Sequence, residues 1–247
     1  MSRAGHDDDG QPYDASMTAP RLNEFGQPIG REVDWAPRAP VRPVELVGRW
    51  CRLEPVASHH LPGLYDAVVL RSPASTWTYI AVGPFDDPSG LAAWLRDLHD
   101  DPASFPHAVC LPDGRPVGIA SYLRNDPTNG SVEVGGIVYA AELQRTTAAT
   151  EAMYLMARHA FDELGYRRYE WKCDALNAPS HRAAERLGFT YEGRFRNALV
   201  YKGRNRDTDW FSITDAEWPA LRTGFEVWLD PANHDGDGQR TRLHAGR

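Results

Sequence analysis

Cysteine is scarce in this chain, with three among 247 residues. Cys51, Cys110 and Cys173 are widely separated and form no Cys-x-x-Cys pair, which excludes a disulfide framework or cysteine-based zinc cluster as an expectation. Each sits in a run that reads as a strand, where a free cysteine behaves as a small buried hydrophobe. Histidine supplies no obvious ligand set either. The adjacent pair His59-His60 lacks an acidic or cysteine companion at ligand spacing, so no metal is expected. Long apolar runs are also missing. Ala67-Val68-Val69-Leu70 is far too short to cross a bilayer, and the residues after Met1 show no signal-peptide pattern. No membrane partner is therefore expected, and a cytoplasmic location follows by default. No Gly-x-Gly-x-x-Gly or Gly-Lys-Ser/Thr loop exists, which disfavours a general dinucleotide or phosphate binder. An excess of positive charge is absent too. The net charge of -7 argues against a nucleic-acid surface and for small or cationic partners. The basic stretch from Arg194 to Arg206 is a local exception, read as a solvated face.

What remains is enough apolar sequence for one full core. Residues 1–20 are rich in Asp, Gly, Pro and Ser and are expected to be a disordered tail. The same holds for 230–247. Residues 21–43 carry Pro37, Pro40 and Pro43, which forbid regular helical bonding, and read as an extended arm. The domain proper is expected over 44–229. Alternation predicts a strand at 49–56, strand-like runs follow at 107–111, 116–123 and 131–139, and 167–175, 191–201 and 209–213 also read as strands. Helical spacing predicts helices near 61–68, 89–99, 148–164, 179–187 and 217–228. The resulting fold class is α+β (mixed α/β): a mostly antiparallel sheet interrupted by helices, with one strand-helix-strand crossover from Ser131 to Ala175. Nothing in the composition chooses between a monomer and a homodimer.

One segment of that crossover can carry chemistry. The strand Val132-Glu133-Val134-Gly135-Gly136-Ile137-Val138-Tyr139 turns through Ala140–Leu143 into a helix start at Gln144-Arg145-Thr146-Thr147-Ala148-Ala149-Thr150. Unpaired N–H groups at a helix start attract anions, and small residues let a ligand approach the backbone. The hydroxyls of Thr146, Thr147 and Thr150 can add contacts to phosphate oxygens. On these residues alone an ordinary Thr-capped helix is the better reading.

The surroundings change the balance. This segment is followed by Asn177-Ala178-Pro179-Ser180 and by Ala183-Ala184-Glu185-Arg186-Leu187-Gly188-Phe189. Together with Gly48-Arg49-Trp50-Cys51-Arg52-Leu53-Glu54-Pro55, Glu133-Val134-Gly135 and Glu217-Trp218-Pro219, it resembles the GNAT acetyltransferase superfamily. The likeness is to the RimJ/RimL-like branch, related to ribosomal-protein N-terminal acetyltransferases, and runs from about Val47 to Trp218. It implies a sheet with helices on both faces and splayed central strands, and acetyl-CoA as co-substrate without a metal. It also implies transfer to a primary amine: a peptide or protein N-terminus, a lysine-like side chain or a small molecule. The cofactor residues it implies are Ile137, Val138 and Tyr139 along the pantetheine arm, Gln144 to Thr150 at the pyrophosphate, and Asn177 and Ser180 beside the arm. The family's phosphate turn usually reads Gln/Arg-x-x-Gly-x-Gly/Ala; Gln144 and Ala149 match, but Thr147 replaces the central glycine.

Many members carry a tyrosine acid four residues after the Ser180 position, where this chain has Ala184. In the RimJ/RimL-like branch a serine at this position sits near the thiol, so the resemblance implies Ser180 as the candidate proton donor to the leaving thiolate. Glu133 is the candidate base, with a solvated strand position as the equal alternative, and Glu170, Asp174 and Glu192 stand behind it. The N–H of Val138 or Tyr139 is the expected oxyanion donor. Cys173 reads as packing rather than nucleophile. The acceptor loop is expected over Ser72–Pro88. Trp77, Tyr79, Phe85, Trp171, Tyr191, Phe195 and Trp210 are candidate pocket walls, most of them better explained as packing. A non-catalytic acyl-CoA-binding module is the competing reading.

Overall fold

A computed structural model describes residues 21–235 and 238–243. The expected disorder of 1–20 lies outside them, as do 236–237 and 244–247 of the expected tail. The chain divides into two units, 1–36 and 37–247. In the first, β1 (Arg21–Leu22) pairs antiparallel with β2 (Pro28–Ile29). Asn23 makes this turn: its Oδ1 accepts from the N–H of Phe25 at 3.0 Å and of Gln27 at 2.9 Å, and Gly26 takes φ +72°. Part of the expected arm is thus a small hairpin. The arm's other end belongs to the second unit, where Val41 is buried and Tyr166 donates to the Ala39 carbonyl at 3.1 Å.

The second unit holds an eight-stranded sheet. Its strands are β3 (Leu46–Val47), β4 (Arg52–Pro55), β5 (Phe105–Cys110), β6 (Pro116–Asp126), β7 (Ser131–Tyr139), β8 (Arg168–Asp174), β9 (Thr190–Tyr201) and β10 (Arg204–Thr214), in spatial order 3-4-5-6-7-8-10-9. All neighbours are antiparallel except β7 and β8. That exception is required, because a crossover through a helix returns the chain in the same direction. The helices are α1 (Leu61–Tyr65), α2 (Pro88–Asp100), α3 (Thr147–Arg158), α4 (Ala178–Arg186) and α5 (Trp218–Leu229). The crossover helix α3 is buried from Thr150 to Ala157, sandwiched between the sheet and α5, and its last turn widens to π geometry at His159–Glu163. Tyr154, Phe161, Trp218 and Phe225 interlock there through ring contacts of 5.1–6.4 Å.

The chain after α5 differs from the expected structureless tail. Pro231–Asn233 forms a turn, and β11 (His234–Asp235) pairs with β12 (Gly238–Gln239). One side chain explains why these polar residues order. The buried Asn233 donates Nδ2 to the Trp228 carbonyl at 2.9 Å and accepts at Oδ1 from Thr241 N at 2.8 Å.

His59-His60 does find an acidic companion, six residues back on β4. His60 Nε2 lies 3.0 Å from Glu54 Oε2, and Arg52 holds the other carboxylate oxygen. His60 Nδ1 accepts from Ala57 N at 3.1 Å, so both ring nitrogens are engaged in a hydrogen-bonded corner. The strand's fold-back into the following turn makes this contact, which linear ligand spacing does not reveal.

Candidate active site

A break in the sheet creates the site. β7 and β8 pair in register only over Ser131–Val134 with Arg168–Trp171. Beyond Val134 a bulge against β6 intervenes, where Ile119 faces Val138 but Ser121 faces Gly135. Gly136 takes φ +59° there, which a side chain would strain. Gly135 is needed for a different reason: a Cβ would stand 2.7 Å from Leu123 Cδ1 and 2.9 Å from Glu133 Oε1. The bulge turns β7 away from β8, and its edge opens into a cleft of about 1370 Å³. That exceeds the ~300–1,000 Å³ of most small-molecule sites and suits a long ligand.

The cleft gathers nearly all the cofactor residues expected from sequence. Ile137, Val138 and Tyr139 form one wall; Gln144, Arg145, Thr146, Thr147, Ala149 and Thr150 form the turn; Asn177 and Ser180 face them from α4. Ala148 is the exception, with its side chain buried away from the lining. Strand parity also narrows the oxyanion candidates. Ala140 N donates to Val117 on β6 at 3.0 Å, so Val138, two residues earlier, directs its N–H the same way. Tyr139 presents its own N–H to the open side, where Gln144 Nε2 donates to the Tyr139 carbonyl at 2.9 Å.

The helix start is a capped one. Thr146 is the N-cap of α3, and its Oγ1 accepts from Ala149 N at 3.1 Å. All three threonine hydroxyls have protein partners: Thr146 the Leu143 carbonyl, Thr147 the His234 ring, and Thr150 the Arg186 guanidinium. This departs from the expectation that they serve an anion. The N–H groups of Thr147 and Ala148 have no carbonyl of their own helix to bond and stand as donors at the helix start. Thr147 opens the helix, so its Cβ causes no crowding; the left-handed residue of the turn is Arg145, with φ +64°.

Asn177 caps α4, its Oδ1 accepting from Ser180 N at 3.2 Å. Its Nδ2 remains a donor for a ligand. Ser180 Oγ accepts from the buried Trp171 indole at 3.0 Å, which occupies an oxygen lone pair and leaves the hydroxyl hydrogen to donate elsewhere. Behind it, burial pushes the Cys173 thiol up to about 11, consistent with packing rather than nucleophilic work.

Glu133 does not line the cleft. It is buried alongside Gly135 and paired with Lys172 Nζ at 2.6 Å, which in turn lies over Trp210. Burial raises its carboxyl above the ordinary glutamate range, with Lys172 opposing the rise. The alternative carboxylates are committed elsewhere: Glu170 and Glu192 to Arg168, and Asp174 to Tyr201 and Leu176 N. Among the aromatic candidates, Tyr79 and Trp171 line the cleft. Trp77 and Phe85 instead pack with Trp94. Phe195 lies tilted against Trp210 at 5.0 Å, and Tyr191 meets Phe211 edge-on.

The expected acceptor loop is tied across the cleft. Tyr79 Oη donates to the Leu176 carbonyl at 3.0 Å, and the β9–β10 turn reaches back with Lys202 Nζ on Trp77 O and Arg204 on Thr78 O. Sequence reasoning missed these latches, and it missed Glu151. That buried carboxylate on α3 accepts from three successive backbone N–H groups, Arg49, Trp50 and Cys51. Its signal was present: an acid in a helix whose neighbours Ala148, Ala152 and Leu155 are apolar.

Known proteins share this fold. Residues 51–190 match the model of the acetyltransferase (GNAT) domain. The solved structure of a GCN5-related N-acetyltransferase from Brucella melitensis is 40% identical, with TM-score 0.82, covering 85% of this chain and 96% of that one. A probable GNAT-family acetyltransferase from Chromobacterium violaceum ATCC 12472 is 34% identical, with TM-score 0.73, covering 78% and 100%. Among curated proteins, "Putative ribosomal N-acetyltransferase YdaF" of Bacillus subtilis (strain 168) is 31% identical over 111 residues, which span 45% of this chain and 60% of that relative. The chain belongs to the GNAT acetyltransferase family.

Proposed function

We propose that the chain moves an acetyl group from acetyl-CoA directly to a primary amine, in the manner of the RimJ/RimL-like branch. The observation that carries this reading is the single cleft joining the unpaired β7 edge to the N-terminus of α3. An extended amide arm fits the first as a pseudo-strand, and a pyrophosphate fits the second. The neutral amine attacks the thioester carbon, and the Tyr139 N–H stabilises the developing oxyanion. The C–S bond then breaks, and Ser180 donates a proton to the thiolate. Glu133 removes the amine proton through water passing the Gly135–Gly136 bulge. A peptide or protein N-terminus is the favoured acceptor, supported by the ribosomal description of the Bacillus relative. Lysine-like and small amines complete the class. Incubation with acetyl-CoA and a panel of N-terminal peptides and small amines, with free thiol followed, tests it. Thiol release is expected with at least one amine; CoA binding without release from any member would overturn catalysis.

The proton roles separate in steady-state kinetics. Ser180→Ala is expected to lower kcat by about 100-fold with little change in KM for acetyl-CoA. An unchanged kcat removes it as donor. Glu133 acts as the carboxylate, so its contribution is present above its raised pKa and lost as pH falls through it. The amine, ionising near pH ~8, gives the log kcat/KM profile one acid limb. Glu133 adds a second at lower pH, where the slope approaches two. Glu133→Gln should retain only the first limb; a wild-type slope of one throughout overturns the base assignment.

A further inference from the structure

Lys172 and Lys202 are the only lysines among the 27 lysine and arginine residues of the chain. A guanidinium stays charged and is no acyl acceptor, so these two side chains alone offer an amine. They are held differently. Lys172 is mostly buried, with Nζ 2.6 Å from Glu133 Oε2 and over the Trp210 ring. Lys202 is exposed. It shares the two-residue β9–β10 turn with Gly203, where both are left-handed, φ +47° and +69°, and Tyr201 pairs with Arg204. We propose that Lys202 is a self-modification site, whose Nζ takes an acetyl group from the cleft of its own chain. The inference rests on reading that cleft as the site of acetyl transfer.

Three observations support it. The turn brings Nζ to the loop that walls the cleft. It donates to the Trp77 carbonyl at 2.8 Å, and Thr76 before that residue and Tyr79 after it both line the cleft. Arg204 holds the same loop through the Thr78 carbonyl at 2.9 Å, so the turn is fixed beside the site. The second observation is the partner itself. Among the described residues Nζ meets a carbonyl and no carboxylate, so leaving Trp77 breaks one hydrogen bond and no ion pair. The third is electrostatic. Partial desolvation against the loop, and then the charge of Arg204, hold the Lys202 amine below the ordinary lysine range, which enlarges the neutral fraction able to attack.

The step balances without a further reactant. Nζ sheds one proton to water and attacks the thioester carbon; the N–C bond forms and the C–S bond breaks. Nitrogen then loses a second proton and the thiolate takes one up, so the chain gains an amide and CoA leaves as its thiol. The acetylated side chain keeps one N–H but no charge. Its tie to the Trp77 carbonyl is weakened, and Arg204 and Tyr79 are left to hold the loop.

Incubation of the full chain with acetyl-CoA and no added amine, followed by intact and fragment mass spectrometry, tests the proposal. One acetyl group is expected on Lys202, at a rate per chain independent of chain concentration and about tenfold or more above that of the chain unfolded in urea. Lys202→Arg, which keeps the charge, should gain none at that position; a thermal melt establishes that it is folded, and the wild-type fragment map decides if it is not. A rate matched by the unfolded chain would overturn the proposal. So would a rate that rises with chain concentration, or an acetyl group on Met1 or Lys172 in place of Lys202. Thiol release with an added amine but no acetyl group on Lys202 overturns this inference alone. No thiol release in either assay overturns the acetyl-transfer reading itself.

Discussion

Ala149→Glu is expected to weaken acetyl-CoA binding by about 100-fold while leaving the fold intact. Ala149 is the third residue of α3 and lines the cleft, so the new carboxylate enters the space beside the free N–H groups of Thr147 and Ala148. Two unit charges 4 Å apart near a protein surface repel by about 4 kcal/mol. Solvent and salt in an open cleft reduce this, and a loss of roughly 2–3 kcal/mol, about two decades in Kd, remains. The same carboxylate favours the helix, because a negative charge in the first turn offsets the macrodipole by about 0.5 kcal/mol. Binding and stability therefore move in opposite directions. Titration with CoA beside a thermal melt reads both. A Kd changed less than threefold would mean that the pyrophosphate does not sit at α3.

The second large effect concerns stability. Glu151→Ala should cost about 3–5 kcal/mol, because removing one partner of a buried charged group leaves the others unsatisfied. Those others are the N–H groups of Arg49, Trp50 and Cys51, at 2.8, 2.6 and 2.8 Å from the carboxylate. In a domain of this size each kcal/mol lowers Tm by roughly 2–4 °C, so a drop on the order of 10 °C or more is expected. Gly48→Ala should act in the same direction, since its Cβ would overlap the Glu151 carboxylate. The site feels this as well: Trp50 lines the cleft and is one of the residues held by Glu151. A Glu151→Ala protein melting within 2 °C of wild type would refute the clamp.

Most of the architecture was legible because it is written in local periodicity. The strand-like runs at 131–139 and 116–123, each bounded by turn residues, both form strands, and the first was located to the residue. Gly165 and Gly188, both at positive φ, end the helices where the sequence places their ends. The described residues after 230 differ from the expected tail because Asn233, Thr241 and Gln239 bond to α5 and to each other. Polar composition reads as disorder when its partners lie elsewhere in the chain. The His59-His60 corner was missed for the same reason.

The sequence by itself determined the crossover, the helix start at Gln144–Thr150 and the order of Glu133, Asn177 and Ser180 around it. These depend on turn chemistry, capping and spacing, all of which act over a few residues. Only the tertiary structure decided which of those groups meet. It placed Ser180 against Trp171 in the cleft and Glu133 against Lys172 outside its lining. It put the left-handed residue of the turn before α3 at Arg145, and gave the threonine hydroxyls protein partners. The reason is physical: a β-bulge fixes how far two strands diverge, and burial fixes which charges must pair. Both are properties of residues brought together from distant parts of the chain.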